Sequence, residues 1–532
     1  MSTVESKSGQ QPAAPEVQRL KSGAIGLFAV LFMAVANAAP ITAMTGNVPI
    51  VVGYGNGTGV PAAYLFATIV LSIFAVGYTA MARHITATGA FYGFISHGLG
   101  QLWGLVSGLL ATVAYIVFEA SLIGIFASFA KTTVETFGGP ELSWIVYALI
   151  GIAAIALLGY FDIEISGRVL AVFLITEIVI LGLLSLSVLI RGGGPDGLMA
   201  QVLNPANAFT AVADDPAAAI TGSAAIGLFF AFWSWVGFET TAVYGEESKD
   251  PKKIIPRATM MAVIGLGVFY TIVSWLAIAG NGAEQSVAIS RGSTGNPFDL
   301  FFGITDSYVG GWALVIYKVL TVLGSFACAL AFHNAASRYI YAIGREGLTP
   351  GLRRTLGATH GTHKSPHIAS ITQSVICLLI TLAFFALQEP TESAPDVAYF
   401  YLYGLMAILG TAMILIVQTV CSIAVIFYFH VKGNHPETRH WWRTLVAPAI
   451  GAVGMGYVVY LLVDNLEFAA GAAADSPVFH AIPYIIGGVA LFGIVIGLIL
   501  RSKDQERYQR IGRVVMEEDA PPRTSAEEPE RA

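Results

Sequence analysis

Charge is what this chain of 532 residues lacks. Only 12% of its positions are Asp, Glu, Lys or Arg, 55% are hydrophobic, and the mean hydropathy is +0.69. Soluble domains are charged at about a quarter of their positions, so a water-soluble globular protein is excluded and an integral membrane protein remains. Cysteine is scarce too. Cys328, Cys377 and Cys421 each lie within an apolar run, at neither zinc-ligand nor redox spacing; no disulfide framework is implied, and they read as small buried apolar side chains. No Walker A pattern occurs, which excludes ATP as the direct energy source. HExxH, GxGD and GxSG patterns are missing and no carboxylate pair stands at helical spacing, which argues against an intramembrane enzyme. Rings of like charge and repeated filter sequences, the marks of a channel, are absent as well. The longest segments between apolar runs, 191–220 and 281–309, are rich in Gly, Pro, Asn and Asp and are too short for a soluble domain. No cofactor, metal or nucleic-acid partner is expected; the partners are the lipid bilayer and a small solute.

What is present is a series of apolar runs. With about 20 residues needed per crossing, about twelve spans are expected, near 23–52, 60–82, 98–130, 143–160, 166–190, 221–246, 257–280, 310–343, 366–387, 398–430, 444–464 and 481–500. If both ends are cytoplasmic, the inside loops hold Arg83, Arg168, Lys249, Lys252, Lys253, Arg257, Arg345, Arg353, Arg354, Lys364, Lys432, Arg439 and Arg443. The outside loops then hold only Lys131, Arg191 and Arg291. That is the asymmetry of the positive-inside rule, and an odd number of spans would scramble it. The net charge of −6 does not bear on orientation, which depends on where Lys and Arg sit. The polar stretch 1–21 and the acidic, Pro-rich stretch 502–532 read as disordered cytoplasmic tails. The GYGNGTG run from Gly53 to Gly59 follows a membrane helix rather than a strand, so it reads as an outside turn, and Asn56 heads a formal glycosylation sequon.

Two spans are interrupted at comparable depth. The first carries Pro40 near its middle in ANAAPITAMTGNVP, with Gly46 and Pro49 behind; proline removes an amide donor and clashes with the preceding turn. The sixth carries Gly237, flanked by Ser234, Trp233, Trp235 and Phe238. Spans one and six are equivalent if a five-helix unit is repeated with inverted topology. A half-helix start offers free amides to an anion and a half-helix end offers free carbonyls to a cation, which suits a zwitterion at mid-membrane. The simpler alternative is a kink at Pro40 and a packing glycine at 237.

The sixth-span stretch FFAFWSWVGFETTAVYGEESKDPKKIIPRA (Phe229 to Ala258) resembles the helix-six signature of the amino acid-polyamine-organocation family of secondary transporters. HNAASRYIYAIGREGLTP (His333 to Pro350) is similar to the end of that family's helix eight and the loop beyond. A weaker likeness is TGAFYGFISHGLGQLWG (Thr88 to Gly104), entering helix three. The resemblance implies an all-α integral membrane protein of about twelve transmembrane helices: a five-plus-five inverted repeat with discontinuous helices 1 and 6, plus two C-terminal helices. The transport core would be 22–430, with repeats at about 22–190 and 221–430, and the two added helices 431–501. Many members break helix one with a Gly-Ser-Gly type sequence, where this chain has AAPITAMTG. The implied function is secondary active transport of amino acids or related amines across the plasma membrane by alternating access, by proton-coupled symport or exchange. The alternative is a polyamine or organic cation permease.

The resemblance places substrate-binding groups at Ala39, Thr42, Ala43 and Met44 on helix one, at Trp233, Ser234 and Gly237 on helix six, and at Phe332 on helix eight. Trp233 would be an aromatic lid, and an ammonium against such rings is worth about 0.5 to 2 kcal/mol. Four charges in the spans need partners or work to do, since each costs a few kcal/mol at the bilayer centre. Glu177 is a protonatable coupling group or a hydrogen-bonded carboxylate; Glu239 is a gate or latch, or a cap for the half-helix it begins. Glu119, one turn from Tyr115, receives a substrate ammonium or forms an ion pair with Lys318. His333 titrates, or is a hydrogen-bonded packing histidine.

Overall fold

The computed structural model describes all residues except 1–19, 21–22, 87–88, 161–162, 216–221, 362, 364, 392–393, 466–472, 474 and 513–532, and the side chains of 163–170 and 350. Most of both expected tails, Thr88, Lys364 and the side chains of Arg168 and Pro350 therefore lie outside the described residues. The described chain is helical, with two isolated β-bridges and no sheet.

Among the described residues eleven helices are long and apolar enough to cross a membrane, and a seventeen-residue apolar helix stands where the fourth span was expected. In chain order they are α1 (Leu27–Tyr54), α2 (Gly57–Ala82), α3 (Gln101–Thr136), α4 (Trp144–Tyr160), α5 (Ile163–Ile190), α6 (Ala224–Tyr244), α7 (Pro251–Asn281), α8 (Gly311–Glu346), α9 (His367–Leu387), α10 (Ala398–Val431), α11 (Trp441–Asp464) and α12 (Pro477–Lys503). The helical state follows from the solvent: lipid offers no hydrogen-bond partners, so each amide must be satisfied within its own segment. Burial separates centre from rim. All of the apolar window of α6 is buried, against 17% for α12, so α6 is enclosed by protein while α12 leaves Leu491, Phe492 and Val495 exposed to the lipid side. α1 packs against α5, α7, α8 and the second half of α6.

The ordered chain continues past 501. Gln505–Arg510 forms a further helix, and Tyr508 and Ile511 pack with Tyr92 and Leu105. Gly512 N donates to Glu346 Oε1 at the end of α8. At the other end Leu20 is buried against Ile340 and Tyr341. Both ends of the described chain thus lie on one face, called here the terminal face. In the turn after α1, Asn56 is buried and its Nδ2 donates to Ala208 O and Thr210 O, so this sequon side chain is spent on holding the loop.

Candidate functional site

α1 is interrupted at Ala39, whose φ of 41° is left-handed. Pro40 follows, and a wide π turn runs from Ala43 to Asn47. The break releases backbone groups that three other helices satisfy. Ile41 N donates to Glu177 Oε2 of α5 at 3.1 Å, Ala38 O accepts from Tyr270 of α7 at 2.7 Å, and Asn37 O accepts from the Cys328 thiol of α8 at 3.1 Å. Cys328 is therefore a donor as well as a small apolar filler.

α6 is interrupted over Ser234 to Gly237. The α-helix ends at Trp233 and a 3-10 helix starts at Phe238, with Gly237 at φ 120°. Glu239 sits on this break: its Oε2 accepts from Gly237 N at 3.0 Å and its Oε1 from the Tyr115 hydroxyl at 2.9 Å. The bond to Gly237 N runs back from within the 3-10 helix to the amide of the residue that precedes it. The two interruptions touch, because Asn37 Nδ2 donates to Thr240 Oγ1 at 2.9 Å.

Between them lies a cavity of about 20 Å³, room for one water and no more. Of the residues expected at the substrate site, Ala39, Thr42, Ala43, Trp233, Ser234 and Phe332 line it. Met44, Gly237 and Glu119 do not, although all three are buried nearby. Trp233 stacks on Phe118 with ring centroids 4.6 Å apart, and Phe118 meets Phe332 at 5.2 Å. The lining also has polar residues that the sequence reading missed: Asn37, Asn47 and Tyr403. Tyr403 donates to Asn47 Oδ1 at 2.5 Å and accepts from Trp233 Nε1 at 3.2 Å, while Asn47 Nδ2 donates to Ser234 Oγ at 2.9 Å. A signal for the two asparagines was available: Asn37 and Asn47 flank Pro40 within one apolar span, where an amide without a partner is costly. Thr42 Oγ1 and Asn37 Oδ1 are buried in this lining without a partner.

Glu119 and Lys318 do not meet. Glu119 Oε2 accepts from Gln373 Nε2 at 2.6 Å and lies 3.0 Å from His333 Nδ1, and His333 Nε2 is 2.8 Å from Ser370 Oγ. His333 thus bridges α3 and α9 by hydrogen bonds. Lys318 reaches Thr136 Oγ1 at 3.4 Å and lies over the Phe302 ring. The expected ion pair fails on depth. α3 continues to Thr136, which leaves Glu119 roughly 25 Å from that end, whereas Lys318 is only about 10 Å from the start of α8 at the same side.

A second set of buried charges joins the segment after α6 to the end of α8. Arg338 forks onto Glu247, with Nε to Oε2 at 2.8 Å and Nη2 to Oε1 at 3.0 Å, and lies over the Tyr244 ring. Arg345 forks onto Glu246 at 2.6 and 3.0 Å. Beside them Ile25 bridges to Ser248, with Ile25 N donating to Glu247 O and Lys249 N to Ile25 O. These contacts tie the segment before α1, the segment after α6 and the end of α8 together on the terminal face.

Comparison with known proteins agrees with this architecture. Residues 25–495 match the amino acid permease family. The chain belongs to that family, within the amino acid-polyamine-organocation superfamily, and is a multi-pass membrane transporter rather than an enzyme. A branched-chain amino acid permease of Lactococcus lactis is 23% identical over 62% of this chain and 70% of its own. A low-affinity putrescine importer of Escherichia coli K12 is 24% identical over 81% and 86%. A serine/threonine exchanger of Bacillus subtilis is 23% identical over 60% and 66%.

Proposed function

We propose that this chain is a secondary active transporter that carries an amino acid across the plasma membrane by alternating access, with both termini cytoplasmic and its substrate held where α1 and α6 are interrupted. The observation that carries this reading is the central cavity, which has two buried polar groups without a protein partner, the Thr42 hydroxyl and Asn37 Oδ1, beside the rings of Trp233 and Phe332, on which Phe118 packs. Buried polar atoms without partners are rare in native proteins, and a zwitterion would satisfy them. The two interruptions are those of an inverted five-helix repeat. Its cavity must widen to admit substrate, and the side chains that must swing are Trp233 and Tyr403, which bond each other across it.

The putrescine importer among the relatives makes an amine substrate the competing reading. An amino acid is favoured because no carboxylate lines the central cavity among the described residues, and a diamine would need one at each end. The test is a thermal-shift screen of the purified protein against the amino acids and putrescine; a ligand at 100 times its Kd stabilises the folded state by about 2.7 kcal/mol. Stabilisation by putrescine alone would replace the amino acid reading with the amine one. Trp233→Ala is expected to weaken substrate binding at least several-fold, since the ring supplies both cation-π surface and the bond to Tyr403; equal affinity in a binding assay would remove Trp233 from the site.

Glu177 is the proposed proton-coupling group. As a carboxylate it holds the Ile41 amide at the break in α1; protonation weakens that charge-assisted bond and frees the half-helix to move. Glu177→Gln is expected to leave substrate binding measurable and to flatten the dependence of uptake on pH. An unchanged pH profile would eliminate it as the coupling group.

A further inference from the structure

A second cavity, of about 450 Å³, lies on the face opposite the terminal face, walled by the end of α1, the end of α3, the loop after the helix Ala283–Ser290 and the start of α10. Its volume is in the range of small-molecule sites; the central cavity, at about 20 Å³, is not. Among the described residues its wall holds one cation and one anion, each fixed by hydrogen bonds to uncharged groups. Arg291 Nε donates to Gly53 O at 2.9 Å and its Nη2 to Ala213 O at 2.6 Å. Asp396 Oδ2 accepts from Ser128 Oγ at 2.5 Å and its Oδ1 from Tyr399 N at 3.1 Å. Both are half-buried, and no salt bridge involves either among the described residues. Ser290 Oγ, in the same wall, is buried and without a hydrogen-bond partner.

Two opposite charges that share a concavity without pairing, beside an unsatisfied hydroxyl, are complementary to a ligand that carries both charges itself. The floor is also informative. Tyr399, whose hydroxyl donates to Gly46 O of the π turn in α1, stacks on Tyr403 at 5.7 Å and 9°, and Tyr403 is part of the lining of the central cavity. The two tyrosines, one turn apart on α10, are the partition between the two cavities.

We propose that this cavity is an entry site that binds an α-amino acid as a zwitterion, its carboxylate at Arg291 and its ammonium at Asp396, before the solute passes Tyr399 and Tyr403. It rests on the transporter reading above and adds a selection step. A diamine has no carboxylate for Arg291, whose charge repels its second ammonium, so the site discriminates against polyamines before they reach the central cavity.

The test uses the full chain in proteoliposomes, with uptake of each of the twenty labelled amino acids measured singly and putrescine as competitor. On the amino acid that enters fastest, Asp396→Asn and Arg291→Gln are each expected to raise the KM by about tenfold, the loss typical of a charged hydrogen bond, with kcat changed less than twofold. Putrescine is expected to compete poorly with the wild type and better with Arg291→Gln. Asp396→Glu, which keeps the charge, is expected to retain most of the apparent affinity, which separates binding from a merely structural role. KM values within twofold of wild type in both charge-removing variants, or an equal rise in Asp396→Glu, would overturn the entry site. Uptake of no amino acid by the wild type would defeat the transporter reading instead. Should Asp396→Asn not fold, the Arg291→Gln arm decides by itself, since Arg291 stands in the loop after Ala283–Ser290 rather than within a membrane-spanning helix.

Discussion

Gly237→Ala is expected to abolish uptake and to lower the thermal stability of the purified protein. At φ 120° and ψ −22° the residue is outside the regions open to an L-amino acid, and forcing one there costs about 1–3 kcal/mol before any contact is counted. The contact is severe as well, because a methyl group would stand 2.3 Å from Asn37 Cβ and 3.1 Å from its carbonyl carbon. The α6 segment or α1 must move, and either movement breaks the bonds from Asn37 Nδ2 to Thr240 and from Gly237 N to Glu239. Gly265→Ala is the matched control: it lies in α7 with nothing within 4 Å of an added Cβ, and alanine favours a helix interior by roughly 1 kcal/mol over glycine. Melting curves and initial uptake rates for the two variants check the claim. Wild-type uptake and stability in Gly237→Ala would show that α6 does not need this backbone conformation.

The second large effect is expected at the terminal face. Glu247→Ala removes the carboxylate onto which the buried Arg338 forks, and breaking a buried pair in this way costs about 3–5 kcal/mol. Arg345 and Glu246 cannot compensate, because each already engages the other through a fork of two bonds. That cost falls on the conformation in which α6 and α8 are locked together, so the equilibrium shifts towards one open at this face. A cysteine placed at Ser337, buried beside Arg338, is then expected to react with maleimide at least tenfold faster than in the parent carrying the same cysteine. The reversed pair, Arg338→Glu with Glu247→Arg, is expected to recover part of the protection. Unchanged labelling in Glu247→Ala would mean that the seal depends on packing rather than on the ion pair.

Much of this protein is legible in one dimension, for reasons that can be named. Apolar runs report crossings because lipid tolerates little else, and Pro40 and Gly237 report breaks because their backbone chemistry is exceptional anywhere. The stretch from Phe229 to Ala258 carried the family resemblance, and the match over residues 25–495 bears the family out. Depth was the weak coordinate. The third span, expected to end near 130, runs on to Thr136, so Glu119 lies too deep for Lys318 and its carboxylate bonds His333 and Gln373. The ion pairs Arg338–Glu247 and Arg345–Glu246 join two motifs across 91 and 99 residues of chain, and nothing in either motif says which carboxylate faces which guanidinium.

The sequence by itself determined the solvent, the helical class, the crossings and the family, because each depends on composition or on the local chemistry of a few adjacent residues. Only the tertiary structure decided which remote groups occupy the breaks: Glu177 on the Ile41 amide, Tyr270 and Cys328 on the freed carbonyls, Tyr115 on Glu239. The physical reason is that hydrogen bonds act over about 3 Å and are made across helices, between residues whose separation along the chain, 136 positions for Glu177 and Ile41, carries no record of their distance in space.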